Sequence, residues 1–443
     1  MALEILAAAR RKGESVEDLL AAAFLRHPRL PRQERAFLLE LVQGVKRWEI
    51  RLDYTLARLA ARPLKKMHPL VLHLLRLGAY QLLFLDRVPA RAALNEAGKL
   101  AKSRGLARDQ VGFINAVLRR LAAGDLPPLP DAASDPALGL SVAHAHPEWL
   151  VRRWLARYGP EETAARLAAD NRLPPLTIRV NTLKTDPERL QKRLAGEGAQ
   201  AEPCSFSPVG LRLTALEAPP LEMPSYLEGL WLFQDEGAQL ATCLAAAAAG
   251  QKIAEIGCGR GGKTTHLAEM LGNRGWLTAL DYHRRRLQEA RLNLRRWGAA
   301  LPQLLQADAT RPLHIKEKTL DTVVVDAPCS GLGILRRHPE IKTRLQEKDL
   351  ATFPPRQLAM LAQASRLLKP GGRLLYVTCT TEPEENEELI AAFLKGRPDF
   401  RVLAAPETLP PAARGFFQPS GFFQTSPAFA DLDGFFAAVL LRE

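Results

Sequence analysis

Cysteine is scarce in this 443-residue chain, with five residues at 204, 243, 258, 329 and 379. The odd count argues against a disulfide framework, and without a CxxC pair or any metal-ligand spacing no metal site is expected. Reduced thiols suit a cytosolic setting. No apolar run approaches ~18 residues, so no membrane span is expected. The opening MALEILAAARRKGES places its basic cluster after the apolar run, the reverse of a secretory signal. Together these absences predict a soluble, cytoplasmic protein. Acidic residues are outnumbered as well: 61 Lys+Arg stand against 48 Asp+Glu, a net charge of +13 that favours an anionic partner.

The distribution of that charge is more informative than its total. Residues 1–125 hold 23 Lys+Arg and 12 Asp+Glu, so +11 of the +13 lies there. The apolar spacing of three and four in this stretch, as at Ala36, Phe37, Leu39, Leu41 and Val42, predicts an all-helical domain. The proline-rich GDLPPLPDAASDP cannot continue a helix and marks a linker near 124–136. Beyond it, LTIRV at 176–180, a helix over Pro187 to Leu194 and VGLRLT at 209–214 predict a small α+β module. From Leu230 onward, KIAEI, WLTALD, PQLLQAD, TLDTVVVDAP, GRLLYVTC and FFAAVLLRE alternate with helical stretches. That rhythm predicts a mostly parallel, Rossmann-like sheet with helices on both faces.

The loop Glu255-Ile-Gly-Cys-Gly-Arg-Gly-Gly-Lys-Thr264 follows a strand and opens a helix, which suits a close backbone approach to a ligand. It satisfies three patterns at once. Gly257, Gly259 and Gly262 spell a dinucleotide loop; Gly257, Gly262, Lys263 and Thr264 spell a P-loop; Glu255, Gly257, Gly259 and Gly261 spell the general methyltransferase loop. LDTVVVDAP supports the P-loop through its resemblance to a magnesium-holding strand. Asp281, ending the next strand, counts against it, because an acid there accepts hydrogen bonds from the ribose hydroxyls of a nucleoside cofactor. Asp281 serves a hydride donor and a methyl donor equally.

Two further strand ends carry thiols, in Asp326-Ala-Pro-Cys-Ser330 and Thr378-Cys-Thr380. A single cysteine is more often a small buried hydrophobe. In an open α/β sheet, however, the carboxyl ends of the strands line the ligand crevice, which predicts both thiols beside the glycine loop. A chemistry that wants a thiol there is methylation at C5 of cytosine. Thiolate addition to C6 makes the poorly nucleophilic C5 enamine-like, and Asp326 is placed to assist at the N3/N4 edge of the base.

Longer motifs carry a resemblance over nearly the whole chain: ELVQGVKRWEIRLDYTLARL, LLRLGAYQLLFLDRVPARAALNEAGKLAK and GFINAVLRR, then IRVNTLK, FQDEGAQL, GGKTTHLAE, VDAPCSGLGILRRHPEIK, TCTTEPEENE and GFFAAVL. The sequence resembles the bacterial small-subunit ribosomal RNA (cytosine-C5)-methyltransferases of the Fmu/Sun (B-type) family, within the NOL/NOP/Sun group. The resemblance implies a NusB-like RNA-binding domain over 1–130, an RRM-like module over 140–232 and an S-adenosylmethionine-dependent methyltransferase domain over 233–443. It implies S-adenosyl-L-methionine as cofactor and small-subunit ribosomal RNA as partner. No obligate protein partner is evident, and a monomer is the default. It also implies that Cys379 is the nucleophile and that Cys329 assists product release. Cofactor contacts carry over to Gly257, Cys258, Gly259, Arg260, Gly261, Gly262 and Lys263, to Asp281 for ribose, to Asp308 near adenine and to Asp326 at the reactive end.

The loop departs from the family's usual Asp-x-Cys-Ala-Ala-Pro-Gly-Gly-Lys, with Arg260 in place of the proline and glycine at 257 and 259. A cation there could pair with the methionyl carboxylate or point to solvent. Glu384, Glu385 and Asn386 follow Pro383 at an expected helix start, where acids suit the dipole. Arg336 and Arg337 could contact phosphate or form a solvated face, and His338 reads as a packing or capping residue. Lys65, Lys66, Arg119 and Arg120 are candidates for RNA-backbone contacts. Two other readings stay open from sequence alone: an RNA-binding or assembly protein whose methyltransferase domain is inactive, and an ATPase.

Overall fold

The computed structural model describes all residues except 13, 14, 301 and 405. The chain forms two compact units, Met1–Leu173 with Leu335–Glu347, and Pro174–Ile334 with Lys348–Glu443. Three folds occupy them: an all-α domain in the first, then a small module built on a four-stranded antiparallel sheet and a larger α/β domain with a mostly parallel, Rossmann-like sheet in the second.

The first unit is helical, as its three-and-four spacing predicts. Helices Arg32–Leu59, Pro69–Phe84, Ala90–Ser103 and Arg108–Ala122 bury Leu52, Leu56, Leu74, Leu75 and Leu118 in one core. The helical pattern ends at Ala122, where the expected linker begins. The compact unit nevertheless extends further, taking in helices Pro136–His144 and Glu148–Ala169. It also takes in the LRRHPEIK stretch. Arg47 Nη2 donates to the Arg336 carbonyl at 3.0 Å, Val16 N donates to Glu340 Oε1 at 3.3 Å, and Lys342 Nζ donates to Asn171 Oδ1 at 2.6 Å. Arg336 is 1% exposed. Its guanidinium therefore forms neither a solvated face nor a surface contact to phosphate, which corrects both expectations for it. His338 stands 3.6 Å from Glu340 and 3.9 Å from Glu17, in keeping with a packing role.

The second unit begins with strands β1 (Leu176–Val180), β2 (Ala199–Pro203), β3 (Gly210–Leu216) and β4 (Trp231–Phe233). They form an antiparallel sheet in the order β2-β3-β1-β4. Helix Pro187–Gly196 is started by Asp186, whose carboxylate accepts from Arg189 N. Leu190 and Leu194 on that helix join Ile178, Val180 and Trp231 in the module's core.

The remaining strands are β5 (Lys252–Ile256), β6 (Trp276–Asp281), β7 (Pro302–Gln306), β8 (Leu320–Asp326), β9 (Leu368–Thr378), β10 (Phe400–Val402), β11 (Phe423–Gln424) and β12 (Phe436–Arg442). Their order is β10-β12-β9-β8-β5-β6-β7, with β11 paired to β12. Strands β5 to β9 run parallel, whereas the closing FFAAVLLR strand runs antiparallel between β9 and β10. The central strands are apolar on both faces because both are covered. Val323, Val325, Leu374 and Tyr376 meet helices Phe353–Leu367 and Glu387–Gly396. The alternate residues Val324, Leu375 and Val377 meet helices Glu236–Cys243 and Gly262–Met270. From β5 the chain winds outward one way through β6 and β7, and the other way through β8 and β9. A switch point thus opens where β5 and β8 adjoin, at their carboxyl ends, where ligands bind in such sheets.

Candidate active site

Every residue that the sequence singles out for the cofactor or for catalysis lies at the carboxyl end of β5, β6, β7, β8 or β9, or in the loop or helix start that follows the strand. The glycine loop is folded against β8. Gly257 has φ +84°, and a Cβ at that position would stand 2.2 Å from the Asp326 carbonyl oxygen. Only glycine fits this backbone, so its presence here in place of the family's cysteine is tied to the local conformation. Gly257 N and Cys258 N donate to the Leu280 carbonyl at 2.8 and 2.9 Å. Gly259 N donates to Asp281 Oδ2 at 3.0 Å, while Asp281 Oδ1 accepts from His283 N at 2.7 Å. Each Asp281 oxygen retains a lone pair for a ribose hydroxyl. The Cys258 side chain packs with Ala279 and Leu287, and burial pushes its thiol far up, so it acts as a small hydrophobe.

Past β6 and β7 a recess of about 470 Å³ is lined by Tyr282, His283, Arg284, Gln306, Ala307 and Asp308. Asp308 Oδ1 accepts from Thr310 N and Oγ1 at 3.0 and 2.7 Å, which holds its carboxyl below the usual range. A recess of this size beside the Asp281 carboxylate, next to a glycine loop that packs against β8 at Gly257, has room and acceptors for an adenosyl cofactor.

Of the two orientations open to Arg260, the structure shows the one at the surface. Its Nε donates to Glu289 Oε2 at 2.7 Å on the surface, and its carbonyl accepts from Asn293 Nδ2. Opposite charge one helix away captures the guanidinium, leaving the loop's backbone to face the ligand.

At the other end of the loop Lys263 lies in the first turn of helix Gly262–Met270, and its Nζ donates to Asp326 Oδ2 at 2.7 Å. Burial opposes the ammonium, but Asp326, Glu255 and Cys379 outweigh it and raise its pKa. Glu255 is fully buried in β5, and desolvation, reinforced by the Asp326 charge, lifts its carboxyl from near 4.5 to about 7. A carboxyl raised in the folded state lends stability that is complete below pH 4.5 and is lost as the pH climbs through 7. Glu255→Gln is therefore expected to flatten the stability of the cofactor-free protein between about pH 4.5 and 7, by at most about 3 kcal/mol. Denaturant titrations at pH 5 and 8 check this; parallel losses in parent and variant would contradict it.

The two thiols meet. Cys329 Sγ and Cys379 Sγ are 3.3 Å apart, and Cys379 N donates to Cys329 Sγ at 3.4 Å. The hydrogen bond to Cys379, then burial, then the charges of Cys379 and Glu385 push the Cys329 thiol well up. Ionisation of Cys329 is disfavoured accordingly. The two thiol loops are cross-tied, Gly333 N donating to the Cys379 carbonyl at 2.9 Å and Ser330 Oγ sharing a 2.7 Å hydrogen bond with Thr380 Oγ1.

The PEEN residues, legible in sequence only as a helix start, tie these loops down. Buried Glu385 accepts from Ser330 N at 3.0 Å and from Gln357 Nε2 at 2.9 Å. Asn386 Nδ2 donates to the Thr380 carbonyl at 3.0 Å, and its Oδ1 accepts from Thr378 Oγ1 at 2.7 Å. Arg179 was not singled out from sequence at all. Fully buried in β1, it donates to Gly262 O at 2.8 Å, Thr265 Oγ1 at 2.6 Å, Glu269 Oε1 at 2.9 Å and Gln234, and so clasps the first turn after the cofactor loop. The available signal was a lone cation inside an otherwise apolar strand.

Comparison with known proteins agrees with this geometry. Residues 241–441 match the model of the 16S rRNA methyltransferase RsmB/F family, residues 1–123 match the NusB family, and residues 146–217 match the ferredoxin-like domain of RsmF/B-like methyltransferases. The probable ribosomal RNA small subunit methyltransferase B of Bacillus subtilis is 34% identical over 98% of this chain and 96% of its own. The ribosomal RNA small subunit methyltransferase B of Pseudomonas syringae pv. tomato is 36% identical over 93% of this chain and 90% of its own. Among solved structures, a methyltransferase homolog protein from Pyrococcus horikoshii is 26% identical with a TM-score of 0.59, covering 70% of this chain and 99% of that one. With relatives this similar spanning nearly its full length, the chain belongs to the RsmB/F family of 16S rRNA methyltransferases.

Proposed function

We propose that this S-adenosylmethionine-dependent rRNA (cytosine-C5) methyltransferase works through Cys379 as nucleophile and Cys329 as its proton-bearing partner, on a cytosine of small-subunit rRNA. The thiol pair at 3.3 Å is the observation that carries the reading. The Gly257–Gly262 backbone, Asp281 and the recess beside Asp308 would hold the cofactor, which would supply an electrophilic methyl group. Asp326, ion-paired with Lys263, accepts a hydrogen bond from the N4 amino group of the base, while Lys263 holds a proton at the same edge.

Cys379 sulfur adds to C6 as N3 gains a proton, and C5 becomes enamine-like. Once C5 carries the methyl group, N3 returns the proton it gained, and loss of the C5 proton to a base reforms the C5–C6 double bond and expels Cys379 as thiolate. The Cys329 S–H, 3.3 Å from that sulfur, stabilises the departing thiolate.

None of the described helices is long and apolar enough to cross a membrane, and no cluster of three or more His, Cys, Asp or Glu among the described residues could hold a metal. The proposed RNA affinity of the helical domain rests on its charge. Lys65, Lys66 and Arg119 are exposed, whereas Arg120 is paired with Asp125 at 2.6 Å. Replacing Lys65, Lys66 and Arg119 with Gln is expected to lower the slope of log affinity for rRNA against log salt by about 2 and leave cofactor affinity unchanged; an unaltered slope would count against this surface.

Incubation with labelled S-adenosylmethionine and unmodified small-subunit rRNA, followed by nucleoside analysis, tests the function. Label in 5-methylcytidine is expected. Label in another nucleoside, or only in large-subunit RNA, would overturn the reading.

A further inference from the structure

The second unit is nearly neutral, with 29 Lys+Arg and 28 Asp+Glu over Pro174–Ile334 and Lys348–Glu443. One helix departs sharply from that balance. Arg284–Trp297 (RRRLQEARLNLRRW) contains six arginines and a single acid, Glu289, which is already held by Arg260 and Arg285 at 2.7 and 3.2 Å. Leu287, Ala290, Leu294 and Trp297 bury one face of it. An exposed flank beside that buried stripe presents Arg284, Arg291 and Arg295, spaced i, i+7 and i+11. They lie in one exposed line spanning about 16 Å.

Helix stability does not account for this line. Three arginines open the helix, with no acid in its first turn, so cations crowd the positive end of the dipole. Only those of the last turn sit where a cation is favoured. Arg296 is used internally, stacked on Tyr226 at 3.9 Å and donating to the Trp231 carbonyl at 3.2 Å. Arg291 and Arg295 have no protein partner among the described residues. The helix starts at the adenosyl recess, which Arg284 lines, so its charged line runs outward from the cofactor site.

We infer that the exposed face of helix Arg284–Trp297 is a second docking surface for the phosphate backbone of the substrate RNA, carried by the methyltransferase domain itself. Guanidinium groups on one exposed face suit phosphates of a folded RNA strand, which they hold in position without reading its bases. The inference rests on RNA being the substrate.

The full chain carrying Arg291→Gln and Arg295→Gln tests it, with an in vitro transcript of small-subunit rRNA as ligand. The slope of log affinity against log salt is expected to fall by about 1.5, while Arg291→Lys with Arg295→Lys keeps it. Cofactor affinity and thermal midpoint should match the parent, since neither residue lines the recess. If the parent binds and methylates the transcript and the Gln variant shows the same slope, the docking surface is refuted and the catalytic reading stands. If the parent neither binds nor methylates it, the RNA reading falls and takes the surface with it. Loss of binding to anionic phospholipid vesicles or to an acidic peptide, with RNA binding unchanged, would also overturn the proposal.

Discussion

Cys379→Ala is expected to abolish methylation, by roughly 10³-fold or more, and to leave no covalent RNA complex, because C5 cannot be activated without addition at C6. Cys329→Ala is expected to behave differently. It retains the attacking sulfur and loses the S–H that stabilises that sulfur as it departs, so addition and methyl transfer proceed while elimination slows. A complex stable to denaturant, bearing labelled methyl, should accumulate with Cys329→Ala and vanish in the double variant. The 3.3 Å contact makes the pair sensitive to this exchange, since each thiol is the other's hydrogen-bond partner. A denaturing gel with labelled methyl donor reads both outcomes, and adduct found only with Cys379→Ala would reverse the two roles.

The second large effect is expected at Arg179. Its guanidinium and the Glu269 carboxylate are almost wholly buried, at 0% and 2% exposure, with Trp297 Nε1 also donating to Glu269 at 3.0 Å. Removing one partner of such a pair leaves a buried charge uncompensated, so Arg179→Leu should destabilise the protein by about 3–5 kcal/mol. Joining it to Glu269→Leu should recover part of that loss. Arg179→Lys separates positioning from stability. A lysine keeps the charge but cannot fork between Gly262, Thr265 and Glu269, so cofactor affinity should fall by about tenfold with a smaller loss of stability. Calorimetric binding beside denaturant unfolding checks this; equal cofactor affinity in parent and Arg179→Lys would limit Arg179 to a structural role.

How far the sequence foretells these features depends on whether the cause is local. The parallel strands are plain because KIAEI, DTVVVD and GRLLYV are continuous apolar runs, which strands covered on both faces require. Asp281, Cys329 and Cys379 are placed correctly for a related reason, since the ends of parallel strands converge at a switch point. What depends on contacts between distant segments is not visible. Nothing local in IRVN indicates that Arg179 reaches helix Gly262–Met270, and nothing in PEEN indicates that Glu385 and Asn386 hold loops more than fifty and about six residues away in sequence. The LRRHPEIK stretch misleads for the same reason. Its paired arginines have the composition of a solvated face, yet Arg336 is buried with a segment that belongs to the helical unit. Arg260 shows the converse, in that a cation beside a ligand loop is drawn to an acid on the neighbouring helix.

The covalent route is tested most directly by an RNA substrate carrying 5-fluorocytidine. Fluorine at C5 cannot leave as a proton does, so the adduct is arrested after methyl transfer. Incubation with labelled S-adenosylmethionine, digestion and peptide mass spectrometry should place a methylated 5-fluorocytosine on the peptide containing Cys379 and leave Cys329 unmodified. A nucleotide mapped to Cys329, or methyl transfer to ordinary RNA with no adduct formed on the fluorinated one, would contradict the account.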